Sequence, residues 1–139
     1  MLLIEKKGDL FESTESLAHC VSRDFHMSAG IAKGFKSKFS HQQSLRGGSW
    51  LVGDAARVSA GNRYIFYLVT KERYYDLPTE CALESTLVQL AKWCELLSIH
   101  RLDIPRLASG RDRVDWDNVV TIIKRAFRDC DITITVYVP

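Results

Sequence analysis

Two charged side chains stand where the chain's punctuation makes chemistry possible. Asp112 falls in the stretch 101–117, where Leu102 and Ile104 alternate with polar residues like the last turns of a buried strand. Pro105 cannot donate to a sheet ladder, so the strand ends there. A small-residue loop follows over 107–110, and Asp115 suits the N-cap of a helix from Trp116. A strand, a tight loop and a helix start are the parts of an anion site, because loop N–H groups and the helix N-terminus face the same point. A carboxylate in such a loop repels phosphate, so Asp112 is better suited to a hydroxyl or to proton transfer. On spacing alone, capping a turn or pairing with Arg111 or Arg113 is its simpler role. Lys71 follows residues 64–69, a run apolar on both faces, as in a central strand covered on each side. That puts a lysine near a strand's carboxyl end, where by itself it reads as solvated.

The elements that must position these groups follow from periodicity. Residues 2–5 form a short opening strand that Lys7-Gly8-Asp9 ends in a turn, and residues 17–21 form a second, buried strand. Its loop, residues 22–30, closes on Met27-Ser28-Ala29-Gly30. Ile31, Phe35 and Phe39 then fall at i, i+4 and i+8 on one helical stripe. Gly47 and Gly48 break the chain before β segments at 50–58 and 64–70, joined through the turn-forming Ser59-Ala60-Gly61-Asn62. A helix from Thr79 carries Leu83, Leu87, Leu90, Cys94 and Leu97. A last helix buries Val119, Ile122, Ile123, Ala126 and Phe127 before a closing strand at 132–137.

Six strands interleaved with three helices predict one α/β domain over residues 1–139, a three-layer α/β/α sandwich on a mixed six-stranded sheet. The two strand–loop–helix turns should sit side by side over the carboxyl ends of central strands, where open α/β sheets bind ligands. Two such loops suit neighbouring phosphates. Neither Gly-x4-Gly-Lys-Ser/Thr nor Gly-x-Gly-x-x-Gly is present, so the residues point to a small anionic ligand, a diphosphate, without a nucleotide fingerprint.

Composition narrows the partners. At 139 residues, 46% hydrophobic and 26% charged with net charge +2, the chain is an ordinary globular domain with no strong pull toward nucleic acid. Lys33, Lys36 and Lys38 read as a solvated helix face, and no basic stripe with interleaved aromatics suggests direct nucleic-acid binding. The longest apolar run is too short for a bilayer, and Glu5-Lys6-Lys7 comes too soon for a signal peptide. Cys20, Cys81, Cys94 and Cys130 are scattered, and His19 beside Cys20 has no second ligand pair. They read as reduced core thiols of an intracellular protein, nuclear or cytoplasmic, with no metal site and no disulfide frame.

Five segments in order resemble one family: Lys7-Gly8-Asp9-Leu10-Phe11, Leu17-Ala18-His19-Cys20-Val21-Ser22, Met27-Ser28-Ala29-Gly30-Ile31-Ala32, Tyr67-Leu68-Val69-Thr70-Lys71, and Pro105-Arg106 through Trp116. Together they resemble the macro domain, in the branch of the terminal ADP-ribose protein glycohydrolase, over residues 4–137. The resemblance implies ADP-ribose as ligand, mono-ADP-ribosylated proteins as partners, removal of ADP-ribose from glutamate or aspartate side chains, and no cofactor. It implies Lys71 as nucleophile and Asp112 as acid/base. Asp9 and Leu10 would hold the adenine. Ser22, Met27, Ser28, Ala29, Gly30, Ile31 and Ala32 would line the diphosphate and distal ribose, with Thr70 beside the lysine. Pro105, Leu107, Ala108, Ser109, Gly110 and Arg111 would wrap the other side.

Three positions depart from the branch. Ser28 stands at a usual glycine, and Ala108 and Ser109 replace a glycine and a cysteine. Where glycine would take positive φ, alanine costs roughly 1 kcal/mol, which bears on ligand affinity and not on the fold. Two other activities fit the same resemblance: reading ADP-ribose without cleaving it, or deacetylating O-acetyl-ADP-ribose.

Overall fold

Period-two alternation divides the strands between two cores. In the computed structural model, which describes residues 1–39 and 42–139 and all their side chains except those of Gln42 and Gln43, ten elements follow in order. They are β1 (Leu2–Lys7), β2 (Ser16–Ser22), α1 (Gly30–Phe39), α2 (Gln42–Arg46), β3 (Ala55–Ala60), β4 (Arg63–Lys71), α3 (Glu80–Leu96), β5 (Arg101–Ile104), α4 (Trp116–Ala126) and β6 (Thr133–Val138). The sheet order is β1-β6-β5-β2-β4-β3. Every neighbouring pair is parallel except β3 with β4, so the sheet is mixed. Phe66 and Leu68 face α3 and α4, together with Ala18, Leu102, Ile104, Ile134 and Val136. Ile65, Tyr67 and Val69 face the other way, with Leu17 and Val21, onto Phe35 of α1 and Leu45 of α2. The three-layer α/β/α sandwich is the expected one; α2 is a short fourth helix that periodicity did not reveal.

Local chemistry sets the boundaries. The Thr79 hydroxyl accepts from the Ala82 N–H at 3.0 Å, and the Asp115 carboxylate from the Asp117 N–H at 3.0 Å, capping α3 and α4. Phe35 is fully buried, with His19 stacked on it at 3.7 Å and Phe11 edge-on at 5.0 Å. A Cβ on Gly34 would lie 2.6 Å from the Phe11 ring, so glycine lets α1 approach the 3-10 turn Leu10–Glu12 that carries Leu10. Ile31, expected on the buried stripe, is 39% exposed.

Three expectations need correction. The strand expected from Trp50 starts only at Ala55. Before it, the Asp54 carboxylate accepts from the Leu51 N–H at 2.8 Å, and the Asp54 N–H donates to the Leu51 carbonyl at 3.0 Å, which folds 51–54 into a turn. The hairpin turn is shorter than expected, because Ala60 already pairs with Arg63. Among the cysteines, Cys94 and Cys130 are core thiols, but Cys81 is exposed and Cys20 lies beneath the site described below.

The topology makes one edge of the sheet special. β1, β6, β5, β2 and β4 are parallel, so their carboxyl ends lie along one crest. Adjacent β2 and β5 leave that crest in opposite directions, toward α1 on one face and toward α4 on the other. Their loops diverge and leave a crevice between them.

Candidate functional site

One end of the crest holds a cavity of about 460 Å³ between the strand ends of β1, β6 and β5. Its lining includes Asp9, Leu10, Ile31 and Pro105, four of the residues expected to hold ligand, drawn from three separate segments. Asp9 Oδ1 accepts from the Phe11 N–H at 2.9 Å and starts the 3-10 turn, so this carboxylate shapes the segment as well as facing the cavity. Gly8, Arg106, Tyr137, Val138 and Pro139 complete the lining and were not expected there. Gly8 and Arg106 lay in the recognised motifs. Nothing local marked 137–139, which arrive because β6 runs beside β1 and the Gly8 N–H donates to the Val138 carbonyl at 2.9 Å.

The two loops meet next along the crest. Gly30 has φ +59, and a Cβ placed on it would lie 3.8 Å from Arg111 Nε, so the Arg111 side chain lies across the start of α1. In the second loop the Ser109 hydroxyl donates to the Leu107 carbonyl at 3.1 Å, and the Val114 N–H closes onto the Ala108 carbonyl at 2.8 Å. Ala108 itself has φ +59, the left-handed conformation for which the glycine of the branch is suited. Ser28 is exposed and is not left-handed, whereas Met27, buried beside it, has φ +50. Other expected members of these loops have little polar side chain to offer. Leu107 is buried in the core and Ala29 and Ala32 carry only methyl groups. Thr70 is buried with its hydroxyl toward the Val21 carbonyl at 3.5 Å. The buried Ser22 hydroxyl donates to Asp24, so its proton is already committed.

Lys71 and Asp112 meet at the far end. Lys71 Nζ lies 2.6 Å from Asp112 Oδ1, across 41 residues of sequence, with each side chain about 15% exposed. Neither Arg111 nor Arg113 is the partner of Asp112. Because β5 and β4 flank β2, this ion pair bridges the end of β2. Under it sits Cys20. Burial pushes its thiol far above the ordinary range; the Asp112 carboxylate adds to this, and Lys71 and the Ala108 backbone only partly oppose it. The thiol is therefore neutral and no rival nucleophile. A primary amine and a carboxylate in contact, with a neutral wall behind, can exchange a proton and attack an electrophilic carbon. Among the described residues no group of three His, Cys, Asp or Glu side chains could hold a metal ion, and no helix is long and apolar enough to cross a membrane.

A six-stranded mixed sheet between two helical layers sets the fold class, and the chain belongs to the macro-domain family. It is 42% identical over 133 residues to the human ADP-ribose glycohydrolase OARD1, covering 94% of this chain and 88% of that one. Among solved structures it resembles the macrodomain of Thermus aquaticus DarG, with TM-score 0.89, 25% identity and 99% of both chains covered. The fold also matches Thermosipho africanus DarTG in complex with ADP-ribose, with TM-score 0.84 and 18% identity over 98% of this chain and 42% of that one. No family model matches the chain.

Proposed function

We propose that this chain is an ADP-ribosyl hydrolase that removes mono-ADP-ribose from glutamate or aspartate side chains of proteins. The observation that carries the reading is the contact of Lys71 with Asp112 at one end of the crest along which the cavity and the two loops lie. In this reading the adenine occupies the cavity at Asp9 and Leu10, and the loops at 22–30 and 107–112 hold the diphosphate with backbone N–H groups. The distal ribose then lies against the ion pair.

Chemistry begins when Asp112 takes a proton from the Lys71 ammonium. The freed amine forms a bond to the anomeric carbon, and the bond from that carbon to the acceptor carboxylate breaks, so the side chain leaves as an anion needing no proton. Asp112 passes that first proton to solvent and accepts a second from the nitrogen as the neutral sugar adduct forms. Water then adds to the anomeric carbon while Asp112 returns its proton to the departing Lys71 amine. The same attack would release acetate from an O-acetyl-ADP-ribose whose ester stands on the anomeric carbon.

The test is turnover of a glutamate-linked mono-ADP-ribosylated protein beside a binding isotherm for free ADP-ribose. Lys71→Ala should abolish release while the Kd shifts less than about tenfold, which is 1.4 kcal/mol. Hydrolysis by that variant at the parental rate would refute the lysine mechanism. Tight binding by a parent protein that releases nothing would make this a reader.

A further inference from the structure

The ligand's path along the crest has an exit. The cavity lies over β1, β6 and β5, the two loops meet over β2, and Lys71 ends β4. An ADP-ribose laid in that order directs its leaving group past β4, over residues 72–77 and the start of the β2 loop. These two segments are fastened to each other. The Arg23 N–H donates to the Lys71 carbonyl at 2.8 Å, and its guanidinium donates to the Glu72 carboxylate at 3.1 Å and to the Trp50 carbonyl at 2.8 Å. Asp24 accepts from the Ser22 hydroxyl, from the His26 N–H at 3.1 Å and from the Tyr74 N–H at 3.2 Å. Burial alone would raise this carboxyl group, but those donors outweigh it and hold Asp24 below its ordinary range.

The product of this stapling is an exposed aromatic cluster. The His26 and Tyr74 rings stack at 4.0 Å with 17° between planes, and Tyr75 stands edge-on to Tyr74 at 5.2 Å. Tyr74 and Tyr75 are nevertheless 52% and 65% exposed, and Leu51 and Leu77 on the neighbouring turns are 57% and 61% exposed. The backbone of this surface is ordered by hydrogen bonds while its apolar area stays in water, which suits a surface completed by a partner.

We propose that the His26–Tyr74 pair, with Tyr75, contacts the acceptor polypeptide around the modified side chain and so sets specificity for protein-linked ADP-ribose over small esters. The inference rests on the function proposed above. Charge favours polypeptide over nucleic acid as occupant. The segments 23–26 and 72–77 carry two arginines, Arg23 and Arg73, against three carboxylates, Asp24, Glu72 and Asp76, and Arg23 is paired with Glu72. A phosphate backbone needs a surplus of cations that is absent there.

The experiment compares Tyr74→Ala, Tyr74→Phe and the parent on three substrates: a glutamate-linked ADP-ribosylated protein, O-acetyl-ADP-ribose, and an ADP-ribosylated oligonucleotide. Acetate brings no polypeptide to Tyr74, and the Tyr74 N–H that staples Asp24 survives every substitution. Tyr74→Ala should therefore lower kcat/KM on the protein substrate at least fivefold, through KM, and leave O-acetyl-ADP-ribose within twofold. Tyr74→Phe should behave as the parent. Equal losses on both small and protein substrates, or none on either, would overturn the proposal. A loss confined to the oligonucleotide would assign the surface to a nucleobase and overturn the polypeptide occupant. Should the parent turn over nothing, the function fails separately. The proposal is then decided by affinity, because Tyr74→Ala must still weaken the ADP-ribosylated protein relative to free ADP-ribose.

Discussion

His19 makes folding sensitive to mild acid, and the size of the effect follows from its surroundings. The ring is fully buried on β2 between Phe35 and Tyr67, and neither ring nitrogen has a hydrogen-bond partner among the described residues. Burial lowers its pKa from 6.5 to about 3, and the nearby Cys20 backbone opposes this only slightly. The folded chain thus refuses a proton that the unfolded chain accepts. The stability held by neutral His19 is complete above pH 6.5 and drains away as pH falls from 6.5 toward 3, because the unfolded state binds the extra proton throughout that window. Between pH 7 and pH 5 the linkage amounts to about 2 kcal/mol, and it approaches about 5 kcal/mol near pH 3 at 1.36 kcal/mol per unit. Urea unfolding at pH 7 and pH 5, run in parallel on the parent and on His19→Leu, isolates this group because all other titrations are shared. The parent should lose about 2 kcal/mol more than the variant across that interval. Equal losses in the two proteins would mean that His19 is hydrated or partnered in solution, and the argument from burial would fall.

Two other perturbations have signed outcomes. Lys71→Met and Asp112→Asn should each destabilise by about 1–3 kcal/mol, because each leaves one largely buried charge without its partner. The double variant should recover most of that loss in a double-mutant cycle by thermal melting, and singles that melt with the parent would mean the pair is not formed in solution. Ala108→Gly removes a left-handed alanine worth about 1–2 kcal/mol, but loses about 0.4–1 kcal/mol to unfolded-state entropy and about 0.8 kcal/mol of methyl burial. Its melting temperature should stay near the parental value while ADP-ribose binds more tightly by calorimetry; unchanged or weaker binding would show a loop adapted to alanine.

What could be read from the sequence was what local chemistry determines. Asp115 and Thr79 announced their helices because a capping oxygen acts within three residues. The 64–69 run announced a strand covered on both faces because each of its faces meets a core. The turn at 51–54 hid inside an apolar stretch, since a single Asp54 side chain decides it. Lys71 and Asp112 were each legible only through family resemblance. On spacing Asp112 belonged to its own arginines, and no local rule reports a partner 41 residues away. Tyr137 and the aromatic pair at 26 and 74 escaped for the same reason: strand order and loop stapling bring them to the crest, and neither is written in neighbouring residues.

The bridge over the end of β2 also governs what the lysine ignores. A primary amine at a sugar-binding site is exposed to reducing sugars, and free ADP-ribose carries a latent aldehyde of its own. Clasped by a carboxylate at 2.6 Å, the Lys71 nitrogen is held in an ion pair, and glycation needs a free lone pair. Protection from stray carbonyl compounds is thus built into the resting contact.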